Sequence, residues 1–123
     1  MSESSPVSGV SGRYATALFD LAEEAGQLEA AEGHLGALKQ ALREGPDLHR
    51  LVTSPLYGRE ETGRAILAVA DAMGIGAPTK NLLGLMAAKR RLFALPDVID
   101  DFDQLLARKR GVLAAEVRSA KPL

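Results

Sequence analysis

Asn81-Leu82-Leu83-Gly84-Leu85-Met86 is followed by Lys89-Arg90-Arg91-Leu92, Leu95-Pro96, Phe102, Arg110-Gly111 and Ala115-Glu116-Val117-Arg118-Ser119-Ala120. An apolar helix with a basic end gives way to a restart at Leu95-Pro96-Asp97, where proline in a first turn sacrifices no hydrogen bond. Asp97, Asp100 and Asp101 then face the positive end of the helix dipole, and Arg108, Lys109 and Arg110 the negative end. Val98, Ile99, Phe102, Leu105 and Leu106 supply one apolar stripe of this long helix. The segment from Val112 to Leu123 ends in the alternation of Val117, Ser119 and Pro122, which marks a boundary after Gly111 and a β-like tail.

The same 3.6-residue period, punctuated by Gly and Pro, extends N-terminally and gives six helices in all. The first is expected over 11–25, with Tyr14, Ala17, Leu18, Leu21 and Ala25 on its stripe and Gly26 as its stop. The second, 27–44, carries Leu28, Ala31, Leu35, Leu38 and Leu42 and forms a hairpin with the first. A short third, 47–53, follows Pro46 and stops before Pro55. The fourth, 59–73, buries Ile66, Leu67, Val69, Ala70 and Met73. The fifth, introduced by Pro78 and Thr79, is expected over 80–91. Residues 1–12, Ser-rich with Pro6, read as a flexible tail and lack the basic and apolar regions of a signal peptide. The expected architecture is all-α: a six-helix bundle over 13–111, with 112–123 a C-terminal extension.

Composition narrows the function. The chain has 123 residues, 46% hydrophobic but only 4% aromatic, so the core is built of Leu, Ala, Val and Met, as suits helix packing. A net charge of −1 gives no electrostatic ground for a nucleic-acid or anionic-membrane partner, and the absence of Cys removes disulfides and thiolate metal sites. The apolar runs are broken by charge well short of a bilayer span, so no direct membrane insertion is expected.

The chemical motifs fail individually. Gly58-Arg59-Glu60-Glu61-Thr62-Gly63-Arg64-Ala65 imitates the spacing of a phosphate loop, but Arg64 stands for its lysine and Ala65 for its metal-binding hydroxyl. His34 and His49 lie on different helices with no second ligand type beside them, so no metal site is expected. No Gly-x-Ser-x-Gly elbow exists, and the pairs Glu23-Glu24, Glu60-Glu61 and Asp100-Asp101 sit among polar residues. No catalytic residue and no cofactor is expected. The basic run Lys89-Arg90-Arg91, with Lys80 nearby, either completes a helix C-terminus or meets an acidic partner segment.

What remains is apolar excess. The first helix (Tyr14, Ala15, Ala17, Leu18, Phe19, Leu21, Ala22) and the fifth (Leu82, Leu83, Leu85, Met86, Ala87, Ala88) have arcs wider than one core contact needs. Either both are central in the bundle, or together they form a groove for an amphipathic helix.

From Arg13 onward the chain resembles the delta subunit of bacterial F-type ATP synthases, the oligomycin sensitivity-conferring protein of mitochondria. The resemblance rests on Arg13-Tyr14-Ala15-x-Ala17-Leu18-Phe19-Asp20-Leu21-Ala22 together with the C-terminal segments quoted first. It implies a non-catalytic stator subunit, part of the peripheral stalk, whose bundle receives the N-terminal helix of an alpha subunit between its first and fifth helices. By that resemblance the partner-binding residues are Tyr14, Ala17, Leu18 and Leu21 with Leu82, Leu85, Met86 and Lys89. It further implies b subunits as partners of a smaller C-terminal domain, toward which 112–123 would lead and which is missing here. It places the complex at an energy-coupling membrane, peripheral and on the cytoplasmic face in bacteria. The alternative is a free-standing helical adaptor that takes another amphipathic helix.

Overall fold

The computed structural model describes the backbone of residues 9–120 and the side chains of residues 9–113. The chain is all-α over those residues: α1 Gly9–Glu24, α2 Leu28–Glu44, α3 Pro46–Thr53, α4 Arg59–Ala72, α5 Thr79–Ala88, a 3-10 turn Leu92–Ala94, and α6 Leu95–Ala120. The bundle is built on α6. Its Leu95, Val98, Ile99, Phe102 and Leu106 are buried at the i, i+3, i+4, i+7 spacing of a core stripe, with Leu105 half-buried. Burying each such side chain contributes about 1.5–3 kcal/mol.

α1 packs along α6, and Phe19 meets Phe102 with ring centroids 5.8 Å apart at 58°. Polar contacts fix the rotation of α1 and α2 about that axis. Ser11 Oγ donates to Asp101 at 2.7 Å, Lys109 pairs with Glu23, Lys39 with Asp100 at 3.1 Å, and Arg110 forks onto Glu32 at 3.1 and 2.8 Å. The pairs are solvent-exposed, so they orient more than they stabilise.

α4 and α5 form a close hairpin. Built at Gly84, a Cβ would touch the Leu67 side chain at 3.6 Å, and at Gly63 it would lie 3.9 Å from the Ala87 Cβ. Small residues on both helices let the backbones approach. α4 begins with Glu61 Oε1 accepting from the Gly58 N–H at 3.4 Å, and α3 begins with Pro46 in its first turn.

Helix ends differ from expectation where tertiary contact overrides local signal. α1 starts at Gly9, ahead of Ser11 and inside the stretch expected to be tail, because Val10 packs on the core and Ser11 reaches Asp101. α5 ends at Ala88, not at Arg91. α6 does not end at Gly111: that glycine keeps a negative φ, and the helix continues through Val112 and Leu113 to Ala120 in place of the expected β-like tail. The rest of that tail, 121–123, and the first eight residues lie outside the described ones.

α1, α4 and α5 close alike, with the residue after the cap in the left-handed region and paired 6→1 and 5→2 backbone bonds. Gly26 at φ +68° and Gly74 at φ +74° fill that position for α1 and α4 without strain. For α5 it is Arg90 at φ +56°, whose N–H donates to Ala87 O at 3.0 Å while the Arg91 N–H donates to Met86 O at 2.8 Å.

Candidate functional site

α1 and α5 lie side by side, both against the core, and their apolar arcs are divided between the interior and solvent. The expected site residues separate accordingly. Tyr14, Leu18, Leu82 and Met86 are buried, the last with no exposed surface, and pack with Phe102 and Ile99 in the central cluster. Ala17, Leu21, Leu85 and Lys89 are exposed, Leu21 at 55% and Leu85 at 47%.

Helix geometry accounts for the split. On α1 the buried set is Gly12, Tyr14, Ala15, Leu18 and Ala22: it keeps Tyr14 and Leu18 of the expected stripe, while Ala15 and Ala22 are buried in place of its Ala17, Leu21 and Ala25. Ala15 and Ala22 are small enough to bring α1 close to α6, and this rotation turns Leu21 outward. On α5, Leu82, Leu83, Met86 and Ala87 face inward, leaving Asn81, Leu85, Ala88 and Lys89 on the outer face. Leu21 and Leu85 are thus the outward leucines of two neighbouring helices whose inward faces hold Tyr14, Leu18, Leu82 and Met86.

The Tyr14 hydroxyl and Thr79 Oγ1 are buried without a hydrogen-bond partner among the described residues. Carboxylates with shifted proton affinity lie elsewhere, on the α2–α6 side. The Arg110 guanidinium bonded to Glu32 holds that carboxyl below its ordinary range. Partial desolvation pushes Asp103 up, with the charges of Glu32 and Asp100 adding and those of Lys39 and Arg110 opposing. Among the described residues no group of three or more His, Asp or Glu side chains is placed to hold a metal, and no helix is long and apolar enough to cross a membrane.

Sequence reasoning overlooked a second concavity. A cleft of about 280 Å³ opens where the end of α3, the loop to α4, the start of α4 and the α5–α6 connection meet. Its residues come from three separate stretches of chain, and only the exposed pair Leu56 and Phe93, 90% and 62% exposed, could have drawn notice as apolar residues outside helical stripes.

Residues 10–123 match the family model described as ATP synthase delta (OSCP) subunit. A protein named ATP synthase subunit delta from Parvibaculum lavamentivorans is 49% identical over 123 residues, covering 100% of this chain and 63% of that one. Its namesake from Jannaschia sp. is 50% identical over 124 residues, covering 100% and 67%. The chain thus spans about two thirds of the length of these relatives. Among solved structures, a chain in a Polytomella F-ATP synthase, from a refinement of the F1 head and rotor, superposes with a TM-score of 0.75 at 28% identity, covering 84% of this chain and 91% of that chain. A chain of the Toxoplasma gondii mitochondrial ATP synthase hexamer gives 0.73 at 25% identity, covering 91% and 73%.

Proposed function

The chain belongs to the ATP synthase delta (OSCP) family, and from that premise we propose that it is the head-docking part of a non-catalytic stator subunit, holding the N-terminal helix of an alpha subunit across α1 and α5. The observation that carries this reading is the outward exposure of Leu21 and Leu85 on adjacent helices. An amphipathic helix laid over them would cover both leucines and Ala17, with Lys89 meeting a carboxylate at its edge. The buried Tyr14, Leu18, Leu82 and Met86 act from below, setting the spacing and tilt of the two helices.

The role is mechanical. A tether that keeps the head from turning with the rotor needs slow release under load, which desolvated apolar contact supplies better than screened surface charge. The remaining third of such a subunit would meet the b subunits. The complex would sit at the energy-coupling membrane, with this domain peripheral to it on the cytoplasmic side.

Calorimetric titration with a peptide covering the N-terminal helix of the cognate alpha subunit tests the assignment. Binding with a negative heat-capacity change, weakened about tenfold or more by Leu21→Asp and by Leu85→Asp, is expected. Both variants alter exposed positions and should remain folded by circular dichroism. Unchanged affinity in both would remove the α1–α5 face as the docking site and leave the adaptor reading.

A further inference from the structure

We infer that the cleft between α3, the start of α4 and the end of α5 is a second docking site, separate from the α1–α5 face, that takes an acidic segment of a partner protein carrying one large apolar side chain. The apolar part of the lining includes Leu51, Val52, Tyr57, Ala87, Leu92 and Phe93. Its polar part is Thr53, Ser54 and Thr62 with the two cations Arg59 and Arg90, and no carboxylate lines it among the described residues. Neither arginine has an ion pair or side-chain hydrogen bond among those residues. At helix contacts Lys39, Lys80, Lys109 and Arg110 are matched by carboxylates, whereas Arg59 and Arg90 line one concavity with no such partner among the described residues, so that concavity is complementary to negative charge.

Arg90 strengthens the argument. The left-handed position it occupies at the end of α5 is filled by glycine at the ends of α1 and α4, and a non-glycine side chain there is strained. Capping alone would be served better by glycine. What arginine adds is a guanidinium at the cleft, so the strain is matched to a cation that a ligand can use. The apolar requirement comes from the rim: Leu56, between two lining residues, is 90% exposed and Phe93 is 62% exposed, which together give a partner side chain a surface to cover. The cleft and the α1–α5 face are distinct surfaces of α5, since Ala87 lies about 200° around the helix from Leu85.

The test is a two-dimensional amide NMR titration of the full chain with the capped peptide Asp-Glu-Leu-Phe-Glu-Asp, beside Lys-Lys-Leu-Phe-Lys-Lys and a Ser-for-Leu-Phe version of the acidic probe. Shifts confined to 51–62 and 87–93, given by the acidic probe alone and reduced by salt, are expected. Arg90→Gly should weaken binding about tenfold while raising the melting temperature, because it removes a charge-assisted bond and relieves the strain together. Arg59→Gln should weaken binding similarly, and Leu85→Asp should leave it unchanged, so that failure here and failure at the α1–α5 face can be told apart. Equal response to acidic and basic probes, shifts centred on α1 and the outer face of α5, an absence of shifts, or unaltered affinity in Arg90→Gly would each overturn the inference. So would sedimentation showing that Leu56 and Phe93 are covered by a second copy of the chain.

Discussion

The rings of Phe19 and Phe102 meet at 58° with centroids 5.8 Å apart, joining the half-buried side of α1 to the fully buried centre of α6. Two of the three phenylalanines in the chain are used in this one contact, which sets how α1 lies on its neighbour and so which way Leu21 points. Phe102→Ala is expected to lose about 3–5 kcal/mol in urea unfolding. A double-mutant cycle with Phe19→Ala should return a coupling of about 0.5–1.5 kcal/mol. Additive losses would mean that the rings act only through area.

Tyr14→Phe is expected to be neutral or stabilising by up to about 1 kcal/mol, since it removes a buried hydroxyl that has no partner among the described residues. A loss of more than about 1 kcal/mol in denaturant titration would reveal a hydrogen bond at that oxygen.

Two glycines should respond in opposite directions to alanine. At Gly84 the added methyl finds ordinary contact with Leu67 in mid-helix, so a gain of up to about 1 kcal/mol is expected from helix propensity. At Gly45, between α2 and α3, the methyl would lie 2.9 Å from the Ala41 carbonyl oxygen. Gly45→Ala should therefore lower the melting temperature, and the sign of the two shifts is the check.

The pH dependence has two opposed components on the α2–α6 side. Glu32, held low by Arg110, stabilises the fold above the ordinary carboxylate range, and this contribution is lost as pH falls through its folded value. Asp103, raised mainly by desolvation, favours the fold at low pH, and that advantage is lost as pH rises through its folded value. Near neutrality Glu32→Gln should thus destabilise and Asp103→Asn stabilise. Both differences should fade as pH falls below the folded and unfolded values of each carboxyl, where it is protonated in either state. Urea midpoints measured across that range decide it.

The all-α class and the order of helices were legible because α2, α3, α4 and the α6 stripe have strong periodicity bounded by Gly45-Pro46, Pro55 and Leu95-Pro96. The family resemblance was legible on other ground, the order and spacing of segments that lie in α1, α5 and α6. Register on α1 was not. Ala15 and Ala22 are as apolar as Ala17 and far smaller than Leu21, and only packing against α6 decides that the small residues go inward. Gly111 misled because glycine ends a helix when it adopts positive φ, as Gly26 and Gly74 do, and nothing local forces Gly111 to do so. The end of α5 was hidden for the converse reason: a positive-φ arginine has no sequence signature. Of the eight residues put forward for docking, the spacing could identify the two helices but not the inner and outer halves of their apolar arcs, and the cleft beside Arg90, drawn from three segments, left no periodic trace.

The uninterrupted passage of α6 through Gly111 bears on elasticity. Beyond Leu106, the last buried residue among those described, the helix runs on to Ala120 for about 20 Å with its backbone hydrogen bonds in series. A loop at Gly111 would have been a soft joint, taking up an applied twist as slack before any force was felt. A helix that leaves the core without a break behaves as a stiff spring clamped at one end, so a pull or torque on its far end is transmitted at once to the Phe102 contact and to the ion pairs that hold α6 against α1 and α2.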